Sequence, residues 1–126
     1  MILGLGTDLC RVSRIEQSLE QYGKRFEKRV FTPGEIDYCR RRSESAVHFA
    51  ARFAAKEAAY KALGTGLSMG VRWKDVEVTR LPGKRPNIQL SGRADQLARE
   101  MGVTGVHLSL THEGDHALAV VVIEGL

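Results

Sequence analysis

The fold is decided by residues 45–63, which read SAVHFAARFAAKEAAYKAL and are followed directly by Gly64. The segment is rich in alanine and contains neither proline nor glycine, so its helix propensity is high along its whole length. A glycine immediately after such a segment is a common C-terminal cap. The pattern predicts one long helix that begins at Ser45 and ends at Leu63.

Three charged residues of this helix are candidates for chemistry. Apolar side chains recur on one helix face, and Lys56 falls within that apolar stripe. Glu57 and Lys61 are spaced i, i+4, which places both side chains on one face. They are either a solvent-exposed ion pair or part of a site where the carboxylate holds a hard cation and the ammonium neutralises phosphate oxygens.

Residues 2–9 form an apolar run that predicts a strand and contains Gly4, Gly6 and Asp8. Glycines within a strand often mark a place where another backbone approaches closely. Asp8 is either a cap or turn residue or a carboxylate that is presented to a cation. Asp8 and Glu57 together would suit Mg²⁺, which rarely takes more than one or two protein carboxylates.

Two capping-box patterns predict further helices. The first pairs Ser13 with Glu16 and begins a helix at about residue 13. The second pairs Thr32 with Glu35, has proline at the first helical position, and begins a short helix that ends near three consecutive arginines.

The second half of the chain favours strands and one small helix. The predicted elements are strands at 73–79 and 87–90, a helix at 92–101, and a hairpin of strands at 106–112 and 117–123. Residues 64–70 contain three glycines and are predicted to form a loop. The expected fold class is α+β, with a mostly antiparallel sheet packed against one long helix and several short ones.

Two polar groups in this half could contact a ligand. His107, Ser109 and Thr111 alternate with apolar residues and therefore share one face of their strand, which faces either solvent or a ligand. Gly64 and Ser68 lie in the glycine-rich loop, whose backbone amides could meet an anion. This second signal is weak, because a helix C-terminus lacks the dipole that favours anions.

Composition limits the size and class of the protein. A chain of 126 residues with 43% hydrophobic residues has room for one modest core, so we expect a single domain over residues 1–126. There is no signal-peptide pattern and no apolar run long enough for a transmembrane helix, which favours a cytoplasmic protein. Two cysteines, Cys10 and Cys39, are expected to be reduced core residues.

The net charge of +4 comes entirely from residues 11–42, which hold nine basic and five acidic residues. A cationic surface attracts an anionic partner, whether nucleic acid, membrane or an acidic protein. A basic RNA-binding domain without catalytic activity is therefore an alternative. The low aromatic content of 6% argues against it, because RNA-binding surfaces commonly stack bases on aromatic side chains.

Three motifs resemble one known family over nearly the whole chain. They are GLGTDL at residues 4–9, RFAAKEA followed by KALGTG at residues 52–66, and HLSLTH at residues 107–112. In order, spacing and total length they resemble the holo-(acyl-carrier-protein) synthases, the small bacterial type of 4′-phosphopantetheinyl transferase. The resemblance implies a Mg²⁺-dependent transfer of 4′-phosphopantetheine from coenzyme A to a serine of apo acyl carrier protein, with release of adenosine 3′,5′-bisphosphate.

The resemblance also assigns roles to residues. Asp8 and Glu57 match the Mg²⁺ ligands, and Lys61 matches the residue beside the phosphate. His107 matches a residue that contacts coenzyme A, and Ser109 and Thr111 are expected to line the same surface, with Gly64 and Ser68 as further coenzyme A contacts. The general base stays open: Glu57 could take the serine proton directly or through water, but a carboxylate tied to metal is a weak base.

Two statements about partners follow from the same resemblance. The family forms homotrimers with each site between neighbouring subunits, which would cover the polar strand face. Arg14 and the basic helix that follows, including Arg25, match the surface that meets the acidic carrier protein. Neither nucleic acid nor membrane is an expected partner.

Overall fold

The computed structural model describes residues 1–126 as an α+β fold, as predicted. The elements in chain order are β1 (Ile2–Arg11), α1 (Val12–Tyr22), α2 (Lys24–Val30), α3 (Pro33–Arg40), α4 (Ser45–Leu63), β2 (Val76–Thr79), β3 (Asn87–Leu90), α5 (Gly92–Met101), β4 (Val103–Glu113) and β5 (His116–Gly125). None of the helices combines the length and the apolar composition that crossing a membrane requires.

All strands pair in antiparallel fashion, in two separate sheets. The larger sheet has the order β1-β5-β4, and the smaller one is the β2-β3 pair. In the larger sheet Gly6 lies opposite Val121, and Asp8 lies opposite Ala119. Alternate residues of a strand point to opposite faces, so Gly6 and Asp8 share the inner face with these buried β5 residues.

The predicted helix at 45–63 is confirmed, and it is the centre of the core. Helix α4 packs across the inner face of the larger sheet, and its alanines allow the close approach. Gly64 adopts the left-handed conformation at φ 80° and ends the helix, as expected of a C-terminal glycine. Cys10 and Cys39 are unpaired and buried, as predicted. Burial raises the pKa of the Cys10 thiol to about 11 and that of Cys39 to about 12.

The prediction of a capping box at Ser13 is wrong, whereas the capping box predicted at Thr32 and Glu35 is confirmed. Helix α1 begins at Val12, and Ser13 is bound by Asp115 in the turn between β4 and β5. The Ser13 hydroxyl donates to Asp115 Oδ2 at 2.6 Å, and the Ser13 backbone N–H donates to Oδ1 at 2.9 Å. A carboxylate 102 residues away therefore takes the place of the predicted local cap.

Two further boundaries differ from the sequence prediction. The first helical region is broken at Gly23, which has a φ of 55° and separates α1 from α2. The predicted strand at 73–79 begins only at Val76, because Trp73–Asp75 form one turn of 3₁₀ helix.

Candidate active site

The site is created by very close packing of β1 on α4, which two glycines permit. A side-chain carbon at Gly6 would overlap the carbonyl oxygen of Ala58 and lie 2.8 Å from the backbone nitrogen of Ala62. A side-chain carbon at Gly4 would overlap the carbonyl oxygen of Ala62 in the same way. The expectation that these glycines mark a close backbone approach is confirmed.

This packing brings Asp8 to Lys61, which is 53 residues away in sequence. The Lys61 ammonium lies 3.2 Å from Asp8 Oδ1 and donates to the Thr7 carbonyl oxygen at 2.9 Å. The Asp8 side chain is only 14% exposed, whereas that of Lys61 is 52% exposed. Lys61 therefore pairs with the acid on the strand, and the ion pair with Glu57 on its own helix, one of the two alternatives for these residues, does not form.

Glu57 faces the same region and completes an acidic pair. Asp8, Arg14 and Glu57 line one cleft of about 200 Å³ between β1, α1 and α4. Burial raises the pKa of Glu57, and the nearby negative charge of Asp8 raises it further. Lys61 and Arg14 oppose this shift. Two carboxylates that face one cleft are a place where a cation gains binding energy.

A larger, more apolar cleft of about 550 Å³ lies beside this one. Ser18, Phe26 and Phe53 line both clefts, and the Phe53 ring stacks on Trp73 with 5.0 Å between centroids. Arg25 borders the larger cleft. Arg14 therefore lines the cleft of the acidic pair, and Arg25 lines the cleft beside it.

The polar face of β4 lies elsewhere. His107, Ser109 and Thr111 are exposed on the outer face of the larger sheet, the side away from α4. His107 Nε2 pairs with Glu124 Oε1 at 2.7 Å. Within one chain, this face does not share a cleft with Asp8 and Glu57. Gly64 and Ser68 lie in the exposed loop after α4, where the Ser68 hydroxyl donates to the Thr65 carbonyl at 2.5 Å.

Sequence reasoning missed a further cleft, which is basic and has a volume of about 530 Å³. Arg41, Arg42 and Arg80 line it together with Tyr38. The Arg42 guanidinium stacks on the Tyr38 ring at 3.3 Å from the centroid. The buried Arg52 stacks on the same ring at 3.9 Å, and its Nε has no hydrogen-bond partner. The three consecutive arginines are visible in the sequence, but nothing in the sequence shows that the distant Arg80 and Tyr38 line a cleft with them.

Lys56 does not line any of these clefts, because it is completely buried in the core. Its ammonium lies 2.8 Å from Glu35 Oε1 and also donates to the carbonyl oxygens of Trp73 and Val76. Burial lowers the pKa of Lys56, and the Glu35 carboxylate opposes that shift. The pair joins α3 to α4.

Comparison with known proteins agrees with this fold and site. The family model of the 4′-phosphopantetheinyl transferase superfamily matches residues 4–121. The chain therefore belongs to the 4′-phosphopantetheinyl transferase superfamily.

Within the superfamily, the similar proteins are of one kind. A holo-[acyl-carrier-protein] synthase of Koribacter versatilis is 49% identical over 124 residues, which cover 98% of this chain and 99% of the relative. The crystal structure of the synthase from Neisseria meningitidis has a TM-score of 0.88 at 34% identity and covers 98% of this chain and 99% of that one. The synthase from Bacillus anthracis was solved in complex with coenzyme A (3′,5′-ADP). It has a TM-score of 0.82 at 34% identity, and the match covers 100% of this chain and 99% of that one. None of these similar proteins supports the RNA-binding alternative.

Proposed function

We propose that the protein transfers the 4′-phosphopantetheine group of coenzyme A to a serine of apo acyl carrier protein. The serine oxygen attacks the phosphorus that bears the pantetheine arm and forms the new P–O bond. The anhydride P–O bond breaks, adenosine 3′,5′-bisphosphate leaves with the bond electrons, and the serine proton passes to a base. The observation that carries the proposal is the convergence of Asp8, Glu57 and Lys61 in a chain of this superfamily.

The residues around the acidic pair fit a divalent cation. Carboxylate oxygens are the ligands that hard cations prefer. Burial raises the pKa of Glu57, and the negative charge of Asp8, which a cation would neutralise, raises it further. Asp8 and Glu57 would hold Mg²⁺, with water and substrate oxygens as the other ligands. When bound, the ion neutralises charge that develops on the phosphate oxygens.

The chain's own residues then position and neutralise the substrate. The Lys61 ammonium is half exposed and reaches Asp8, so it stands beside any phosphate held there and offsets charge on its oxygens. Burial and the nearby charge of Asp8 raise the pKa of Glu57, which supports Glu57 as acceptor of the serine proton, directly or through water.

The basic cleft supports a second anchoring point for coenzyme A. Its 3′-phosphate needs a cationic site apart from the acidic pair. Arginine guanidiniums bind phosphate oxygens in pairs of hydrogen bonds. Of the arginines that line this cleft, Arg42 and Arg80 have no carboxylate partner, whereas Arg41 pairs with Asp37. We assign the 3′-phosphate to this cleft.

A homotrimer would unite the separated parts of the site. Leu5 and Leu9 are 62% and 64% exposed on the outer sheet face, beside the partly buried side chains of β5. An apolar face of this kind is typical of a subunit interface. With a neighbour packed on it, His107, Ser109 and Thr111 would contact the neighbour's substrate, with Gly64 and Ser68 on the loop beside it.

The carrier protein is assigned to the surface with Arg14 and Arg25. Of the acidic residues in 11–42, Glu35 is buried in an ion pair with Lys56, which lies outside the segment, so the exposed surface of the segment is more cationic than its sequence total indicates. The pair of Glu27 with Arg40 lies within the segment and leaves that total unchanged. Acidic proteins are steered toward such a surface. One catalytic domain over residues 1–126 and a cytoplasmic location stay predictions.

The test is a modification assay with apo acyl carrier protein, coenzyme A and Mg²⁺, read by the mass of the added prosthetic arm. The wild-type protein should add one arm per carrier protein. Asp8→Ala and Glu57→Ala should abolish the modification while their circular dichroism and thermal unfolding stay close to wild type. Full activity in either variant would show that the acidic pair is not the catalytic centre.

A further inference from the structure

Lys61 makes contacts that substrate neutralisation alone does not require. Its ammonium donates to both Asp8 Oδ1 and the Thr7 carbonyl oxygen, so two acceptors of β1 hold it. The positive charge therefore sits against one of the two carboxylates that the proposed function assigns to Mg²⁺. A cation that binds Asp8 must compete with this ammonium.

We propose that Lys61 is an internal counter-cation of Asp8, and that its movement from Asp8 to the substrate phosphate couples metal binding to coenzyme A binding. This inference rests on the proposed function.

The structure allows this exchange. The Lys61 side chain is 52% exposed and leaves Asp8 without disturbing the core, whereas Asp8 is 14% exposed and fixed on β1. Lys56, by contrast, is fully buried and held by three acceptors, so it cannot move in this way. Of the two lysines around Glu57, only Lys61 is free to change partner.

The coupling follows from charge and mass action. Without coenzyme A, the ammonium occupies Asp8 and repels an arriving dication, which weakens metal binding. A bound phosphate offers Lys61 a new acidic partner, and Asp8 is then released for the metal. Coupling of this kind is reciprocal, so the metal must strengthen coenzyme A binding through Lys61 by the same factor.

The experiment measures Mn²⁺ affinity by calorimetry and by electron paramagnetic resonance of free Mn²⁺, with no carrier protein present. Without coenzyme A, Lys61→Met should bind Mn²⁺ roughly 3-fold to 10-fold more tightly than wild type, because a competing ion pair and a nearby like charge are both removed. With saturating coenzyme A this advantage should disappear or reverse. Coenzyme A should therefore strengthen Mn²⁺ binding by a smaller factor in the variant than in wild type.

Lys24→Met is the matched control, because it removes one exposed positive charge from α2 and leaves Asp8 untouched. It should bind Mn²⁺ as wild type does. Unchanged or weaker Mn²⁺ binding by Lys61→Met without coenzyme A would overturn the inference, and so would an equal gain in Lys24→Met. If Asp8→Ala and Glu57→Ala bind Mn²⁺ as well as wild type does, the metal assignment of the proposed function fails instead, and this inference falls with it.

Discussion

Replacement of Gly6 by alanine should damage the fold and the site together. The new methyl carbon would overlap the Ala58 carbonyl oxygen and lie 2.8 Å from the Ala62 nitrogen. Packed carbon atoms normally stand about 3.5–4 Å from their neighbours, so β1 and α4 must separate by roughly 1 Å. Overpacking costs about 1–3 kcal/mol, and the lower chain entropy of unfolded alanine returns about 0.4–1 kcal/mol, which leaves a net loss on the order of 1–2 kcal/mol.

The same displacement moves Asp8 away from Glu57 and Lys61, because Asp8 follows Gly6 on the same strand face. A misplacement of about 1 Å can cost roughly 100-fold in turnover. Urea unfolding gives the stability change, and the carrier-protein modification assay gives the rate. Gly105→Ala is the matched control for stability, since the three atoms nearest its new methyl belong to the flexible side chains of Glu124 and His107. A Gly6→Ala protein with wild-type unfolding midpoint and turnover would refute the reasoning.

Three further predictions address other parts of the molecule. Arg14→Glu should weaken binding of apo carrier protein and leave coenzyme A affinity unchanged, as surface plasmon resonance and calorimetry can measure; equal loss of both would place Arg14 in a different role. Leu9→Asp should convert a trimer into monomers in size-exclusion chromatography with light scattering, and a wild-type protein that is already monomeric would contradict the proposed assembly. The hydrogen bonds from Ser13 lower the pKa of Asp115, so its carboxylate stabilises the fold at neutral pH, and this stabilisation is lost as the pH falls through the folded-state pKa. Asp115→Ala should therefore lower the melting temperature at pH 7 and have less effect at pH 3; an equal effect at both values would exclude the charge as the cause.

The sequence predicts those features that depend on local chemistry. The helix at 45–63 is bounded correctly because its alanines and Gly64 specify the helix and its end without outside help. The capping box at Thr32 forms because the partner that completes it is three residues away. The strand glycines are correctly interpreted because few other reasons exist for glycine inside a strand.

The failures at Ser13 and at Lys61 involve long-range partners. Ser13 has the same local pattern as Thr32, yet Asp115 takes its hydrogen bonds from the far end of the chain. Nothing near Lys61 shows that it will pair with Asp8 on another element instead of Glu57 one turn earlier. The stacking of Arg52 on Tyr38 likewise joins α4 to α3, and the sequence pattern leaves the packing of these two helices undetermined.

The two lysines that flank Glu57 show how one helix can serve both fold and site. Lys56 and Glu57 are adjacent, but a helix turns by about 100° per residue, so they point in different directions. A buried cation is tolerated only with a partner, and Glu35 therefore fixes which face of α4 enters the core. Lys61, in contrast, is half exposed, so its ammonium can change its partner. Gly6 acts on packing and site at once, so a Gly6 variant that loses activity must also lose stability. Lys61 acts on the site alone, so a Lys61 variant must lose activity without losing stability.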